Sequence, residues 1–246
     1  MFKVKNLTVK YGEREIISSQ SFEIKSGKIT AVIGRNGSGK STLISALAGG
    51  VRYGGEIFFG GSELLELASR EKAKKISFLP QIMPSPQFSV YELVSLGRSP
   101  HTGVLGKMSQ ADREAVEKAM VRVGIEKLCD RRADRISGGE LRLAYVAMIL
   151  AQDTEVILLD EPGVFMDMAN ERELYALLSS LKKEGKTVVV AVHNLSSAIG
   201  FADEIILLDD GKIVFCGERE ACLESAAIES NFSVAKHTDG ENIWFS

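Results

Sequence analysis

The octapeptide GRNGSGKS at residues 34–41 is the feature that most narrows what this chain can become. It fits G-x-x-x-x-G-K-[ST] without a gap, a pattern that works only between a buried strand and a helix. Both are legible around it. Residues 28–33 read as a buried strand, and residues 41–48 read as a helix stopped by Gly49 and Gly50. Glycines let consecutive backbone N–H groups curl around an anion, and the helix start adds the positive end of its dipole. Lys40 is then placed to reach the β- and γ-phosphates of a nucleoside triphosphate, with the Ser41 hydroxyl suited to Mg²⁺.

A second motif fits the same chemistry. Residues 156–161, VILLDE, form an apolar run ending in two adjacent carboxylates. Successive strand side chains point to opposite faces, so both reach one site only if the chain bends at the strand's exit. So placed, Asp160 suits a water-mediated hold on Mg²⁺ and Glu161 suits polarising an attacking water. Alone, the pair reads equally well as a solvated strand end. His193 follows the apolar run 187–192, where open α/β sheets deliver ligand-binding groups. It can donate a hydrogen bond to a γ-phosphate there, although a histidine at a strand end is commonly structural.

With 246 residues the chain can bury a substantial core as one large α/β domain, or a core with a smaller lobe. A net charge of -3 gives no basic excess, so no nucleic-acid partner is expected. Cys129, Cys216 and Cys222 lack the short spacing of zinc or redox motifs and read as reduced thiols of a cytosolic protein. No apolar stretch approaches the ~20 residues of a membrane span, and the first residues lack a signal-peptide core. Any membrane part is expected from another polypeptide.

Residues 2–9 alternate like a half-exposed antiparallel strand, Phe22 and Ile24 suggest another, and 55–59 and 75–79 two more. Ser109 and Asp112 form a capping-box pattern before a helix whose Val116, Ala119, Met120 and Val123 share a face and which Gly124 stops. Further helices are expected at about 139–152 and 170–184, with parallel strands at 155–160, 186–192 and 204–208. Asp210-Gly211 is a hairpin signal. The tail carries a short helix at 221–228, an edge strand at 242–245 and the only tryptophan, Trp244, expected to cap the fold; His101 and His237 are expected at the surface.

Residues 136–140, ISGGE, resemble the signature of ATP-binding cassette (ABC) proteins, LSGGQ in its commonest form. The resemblance implies a P-loop NTPase ABC cassette of α/β class: a RecA-like core, an antiparallel β subdomain and an inserted helical subdomain. It implies a core lobe at about 1–81 and 153–217, a helical lobe at about 82–152 and an extension at about 218–246. ATP and Mg²⁺ follow, as does a head-to-tail homodimer in which each ATP lies between one subunit's phosphate loop and the other's signature. By this likeness Gly34, Asn36, Gly37, Ser38, Gly39, Lys40, Ser41 and Thr42 hold phosphate, and Ser137, Gly138, Gly139 and Glu140 face the partner's nucleotide. Tyr11 resembles the aromatic that stacks on adenine, though it also suits a hairpin core. Gln81 resembles the glutamine that senses Mg²⁺ and attacking water and hinges the helical lobe. Asp167 resembles the aspartate that communicates across the dimer, and His193 the switch histidine. Glu140 stands where glutamine is commoner, Leu143 where arginine is frequent, Asn194 where aspartate is, and residues 163–166, GVFM, where small residues and a leucine are common.

Residues 88–106, FSVYELVSLGRSPHTGVLG, resemble the helical-lobe segment of importer ATPases serving iron-siderophore, haem and cobalamin uptake. That likeness implies permease subunits docking on the helical lobe, indirect work with a substrate-binding protein, and a place on the cytoplasmic face of the membrane. Val90 and Leu93 suit either a docking groove or ordinary core. Iron chelate is the first expectation for cargo, haem or cobalamin the next. A soluble ABC ATPase of iron–sulfur cluster assembly also carries SGGE, and is the alternative.

Overall fold

A computed structural model describes residues 1–102, 106–164, 166–239 and 242–245. Residues 103–105 of the importer-like segment, Phe165 and the side chain of Trp244 lie outside that description.

Alternation builds the first layer. In β1 (Phe2–Tyr11) the residues Phe2, Val4, Leu7 and Val9 are buried. The step from 4 to 7 breaks the period of two, and a register shift with Asn6 at φ 50 marks a bulge there. β1 pairs antiparallel with β2 (Arg14–Ile24) and, on its other side, with β4 (Gly54–Phe59), whose neighbour is the short β5 (Ser62–Glu63). Between them in sequence come β3 (Ile29–Gly34) and α1 (Lys40–Leu47).

The second layer is a six-stranded sheet in the order β10-β9-β3-β8-β7-β6. It comprises β6 (Ile76–Leu79), β7 (Val156–Asp160), β8 (Thr187–Ala191), β9 (Glu204–Asp209) and β10 (Lys212–Glu218) around β3. All neighbours are parallel except β10, which the turn at Asp210 and Gly211 folds back on β9. Continuous apolar runs fit strands covered on both faces. Their alternate residues divide the interior: Ile29, Ala31, Ile33, Ile157, Leu159, Val188 and Val190 join one core. Val32, Val156, Leu158, Val189 and Ala191 join the other, beneath α1 and the antiparallel sheet.

Helices cover the first of those cores: α3 (Val90–Ser95), α5 (Gln110–Arg122), α6 (Gly138–Ala151), α7 (Met168–Lys183) and α8 (Leu195–Phe201) pack on it, while the short α2 (Ser69–Lys75) and α4 (Ser99–Thr102) add no buried residue. α5 starts on the Ser109–Asp112 capping box, as its sequence predicts. The importer-like segment has a packing role of its own. A Cβ at Gly97 would lie 2.1 Å from the Met148 carbonyl of α6, so only glycine allows this approach. Next to it, Arg98 donates to Asp112 at 2.9 Å and to the Ala151 carbonyl at 2.7 Å, tying α5 to the end of α6. Val90 and Leu93 are core residues.

Three expectations need correction. The tail has two short helices, α9 (Arg219–Glu224) and α10 (Ala227–Phe232), because the Ser225 hydroxyl turns back to the Cys222 carbonyl and the backbone at Ser225 is extended. α7 begins at Met168, two residues early, because the Asp167 side chain caps it by accepting from the Asn170 N–H at 2.8 Å. His101 is half-buried, with Nε2 2.9 Å from the Gln152 carbonyl, and is not a free surface residue. The expected edge strand at 242–245 is β12 (Asn242–Phe245), which pairs with β11 (Lys236–Asp239). The strand β5 and the helix α2 are not anticipated by pattern.

Candidate functional site

Parallel pairing delivers the C-terminal ends of β3, β7 and β8 to one edge of the sheet, where open α/β folds hold their ligands. The phosphate loop leaves β3 with glycines where no side chain fits. At Gly34 a Cβ would lie 2.3 Å from the Leu208 carbonyl; at Gly39 the backbone is left-handed, φ 106. Gly39 also stands at the helix cap, so no side chain covers the first N–H groups of α1 and no acid sits in its first turn. Those donors remain open to an anion. Ser38 Oγ is buried in the loop without a hydrogen bond.

One cleft of about 480 Å³ is lined by Asn36, Gly37, Gly39, Lys40, Ser41, Thr42, Gln81 and Glu161, together with Arg14 and Ile16 of β2. Lys40 Nζ donates to the Gly34 carbonyl at 3.0 Å and the Arg35 carbonyl at 3.2 Å, and lies 3.9 Å from Glu161. Burial lowers its pKa, while Glu161 and Asp160 raise it. Ser41 Oγ donates to Asp160 at 3.0 Å, and Gln81 Nε2 donates to Glu161 at 2.8 Å. The bend that the adjacent carboxylates require is present: Glu161 has φ 47, a left-handed conformation rare for this residue, and its N–H bonds the Ala191 carbonyl at 3.1 Å.

Asp160 is 3% exposed, and burial pushes its carboxyl above the usual carboxylate range; the Ser41 hydroxyl opposes this and the Glu161 charge adds to it. A hydroxyl beside two acids of this kind, without a dense cage of ligands, fits Mg²⁺, which takes one or two carboxylates and otherwise keeps water and substrate phosphate.

Other candidates stand apart from this cleft. Tyr11 ends β1 opposite Arg14 and is 54% exposed. His193 is exposed two residues beyond β8, and Asp167 caps α7. The SGGE segment starts α6 by a capping box: Ser137 Oγ accepts from the Glu140 N–H at 3.2 Å, and the Glu140 carboxylate accepts from the Ser137 N–H and hydroxyl at 2.8 Å each. Those bonds hold the Glu140 carboxyl below its ordinary range. Tyr11, His193, Asp167 and all of Ser137–Glu140 are absent from the cleft's lining among the described residues. Gly138 instead lines an adjoining, largely apolar groove with Ile82, Met83, Leu141, Arg142 and Val164, which shares Gln81 with the cleft.

Residue-by-residue reading misses Arg14, Ile16 and above all Arg142. Arg142 is 1% exposed and among the described residues has no carboxylate partner; it donates to the carbonyls of Pro162 (3.0 Å), Asp160 (3.0 Å), Gln81 (2.9 Å), Pro80 (3.3 Å) and Glu161. Desolvating a guanidinium costs several kcal/mol, and charge-assisted bonds worth about 1.5–3 kcal/mol each offset it. Its signal was available: Arg142 is the only charged residue among the eleven of 141–151, LRLAYVAMILA.

The profile of the ABC transporter family matches residues 17–164. The ferric enterobactin transport ATP-binding protein of Escherichia coli is 38% identical over 91% of this chain and 83% of its own. The petrobactin import ATP-binding protein of Bacillus subtilis is 35% identical, over 95% and 93%. Among solved structures, an inward-facing ABC transporter described as of metal-chelate type superposes with a TM-score of 0.83 at 28% identity, over 99% of this chain and 95% of that one. A dimeric ATP-binding cassette bound to ADP and phosphate superposes with a TM-score of 0.79 at 27% identity, over 89% and 99%. The cassette fold, the phosphate loop and these relatives agree: this chain belongs to the ABC transporter family as an ATP-hydrolysing cassette.

Proposed function

We propose that this cassette drives import of an iron chelate, or of haem or cobalamin, through a separate permease on whose cytoplasmic face it sits. The observation that carries the chemistry is the convergence of Lys40, Ser41, Gln81 and Glu161 on one cleft, with buried Asp160 bonded to Ser41 behind it. Support for the cargo class comes from relatives named for enterobactin and petrobactin transport. No observation favours the iron–sulfur assembly alternative.

In this reading the open N–H groups of α1 and the Lys40 ammonium hold the phosphates and neutralise charge developing on them. Ser41, Gln81 and Asp160 would hold Mg²⁺, which when bound would draw charge from the phosphate oxygens. Glu161, steadied by Gln81, accepts a proton from the attacking water. His193 reports on the γ-phosphate, Tyr11 lies under the adenine, and Asp167 communicates across the dimer. A second copy supplies Ser137 to Glu140, so closure of the head-to-tail dimer completes each site. The two-lobe division, about 1–81 with 153–217 against 82–152, lets the helical lobe carry the permease contact, and the groove at Ile82, Met83 and Leu141 is its docking surface. Closure then pulls the permease halves together, and hydrolysis reopens them.

Glu161→Gln tests the assignment. Steady ATP turnover should fall by at least about 10²-fold, as removal of a general base does, while a nucleotide-bound dimer accumulates on size exclusion. Undiminished hydrolysis sinks the assigned base.

A further inference from the structure

The guanidinium of Arg142 has five N–H donors, and five backbone carbonyls receive them. Nε donates to Pro162; one terminal nitrogen serves Pro80 and Gln81, the other Asp160 and Glu161. These carbonyls belong to two turns far apart in sequence, one leaving β6 and one leaving β7. The same two turns present the side chains of Gln81 and Glu161, which meet at 2.8 Å. Arg142 itself stands two residues after Glu140 on α6, the helix that the SGGE segment begins.

We propose that Arg142 is a positioning residue for hydrolysis: it locks the Gln81 turn to the Glu161 turn and ties both to the helix carrying the signature. The proposal rests on Glu161 acting as base, and adds how its position is set. The geometry explains why a cation is kept where an apolar side chain would pack more easily. The backbone turns left-handed at Glu161, and the consecutive carbonyls of Asp160, Glu161 and Pro162 all accept from Arg142, that of Glu161 also from the Val164 N–H at 3.3 Å. A planar fork satisfies carbonyls in several directions at once; an ammonium, with three donors on a flexible stem, does not. Because α6 is rigid and its first turn lies two residues away, a tilt of the signature segment moves both turns together. Engagement of one subunit's signature by the partner's nucleotide is thereby passed to the base of that same subunit.

The test is Arg142→Lys in the full chain, with Arg142→Met beside it, read by kcat, KM for MgATP and thermal midpoint. In Arg142→Lys, kcat should fall about 10- to 100-fold, the range that a sub-ångström misplacement of a catalytic group produces. KM should move by less than about threefold, because the phosphate loop is untouched. A wild-type kcat in Arg142→Lys overturns the proposal, as does a loss in which kcat, KM and the thermal midpoint all fall in step. Should Arg142→Met fail to fold, amide exchange in the Glu161→Gln chain, which retains Arg142, supplies the second reading. On ATP-driven dimer closure, protection should rise together in residues 81–84 and 161–164; protection of one turn without the other overturns the lock. Persistent hydrolysis in Glu161→Gln would remove the assigned base itself, whereas a dead Glu161→Gln beside an unaffected Arg142→Lys would remove only the lock.

Discussion

Two helices of this protein begin at glycine-rich turns, and they begin differently. α1 starts after Gly39 with no side-chain cap and no acid in its first turn. α6 starts after Ser137 with a complete capping box, and the Glu140 carboxylate sits on the N–H of its own N-cap residue. The first helix end is open to an anion as it stands. The second already holds one, supplied by its own chain. A phosphate arriving there must displace or share with Glu140. In the proposed head-to-tail dimer this difference would order assembly: the loop would take nucleotide alone, and the signature would join only when a partner presents a more highly charged competitor.

The strongest way to break this contrast is Ser137→Arg. It fills the second turn and removes its cap, so ATP-driven dimerisation should weaken by at least about 30-fold, the scale of losing a central interface contact. Nucleotide binding by the monomer should stay near wild type; sedimentation with and without ATP separates the two. Normal dimers would show that the SGGE turn does not face the partner's nucleotide.

Asp160→Asn probes the floor beneath the loop. The folded-state pKa of Asp160 lies above its unfolded value, so the ionised group destabilises the fold at neutral pH, and that deficit vanishes as pH falls towards the ordinary carboxylate value. Removing the charge should therefore raise the melting point at pH 7 by about 2–4 °C, the shift that ~1 kcal/mol produces in a domain of this size. The gain should disappear near pH 4, and MgATP should stabilise the variant less than wild type. A melting point lowered at pH 7 would contradict the burial argument.

The mildest change is Glu140→Gln, which keeps the shape of the capping box and removes its charge. If the carboxylate competes with phosphate, ATP-driven dimerisation should tighten about threefold, the size of one charge at a helix end. An unchanged or weaker dimer would show that the two helix starts differ in form but not in effect.

How much of this was legible in the sequence follows the same divide. The loop, the strand before it and the helix after it are local, and a gapless motif with matching periodicity reveals them. The two-core sheet is equally legible, since near-continuous apolar strands require cover on both faces. Arg142 was not recovered because its partners are backbone carbonyls, which every residue possesses and no residue type announces. The Glu140 capping box was hidden for another reason: S-x-x-E is both a plain helix start and part of a phosphate-binding signature, and the two readings share the same residues. Tyr11 and Asp167 are legible only as family resemblances and His193 also by its place after a buried strand, and the fold leaves all three outside the cleft that gathers Lys40, Ser41, Gln81 and Glu161.

The left-handed backbone at Glu161 also shapes how this protein can be engineered. Such a conformation costs a non-glycine residue on the order of 1–3 kcal/mol, and glycine or asparagine would carry it with less strain. A library selected for heat resistance alone is therefore drawn towards Gly or Asn at position 161; with Glu161 as the proposed base, those hardy proteins would no longer fire. Thermal robustness and turnover pull against each other at this one position, so a useful stabilisation campaign must screen for ATP hydrolysis from its first round.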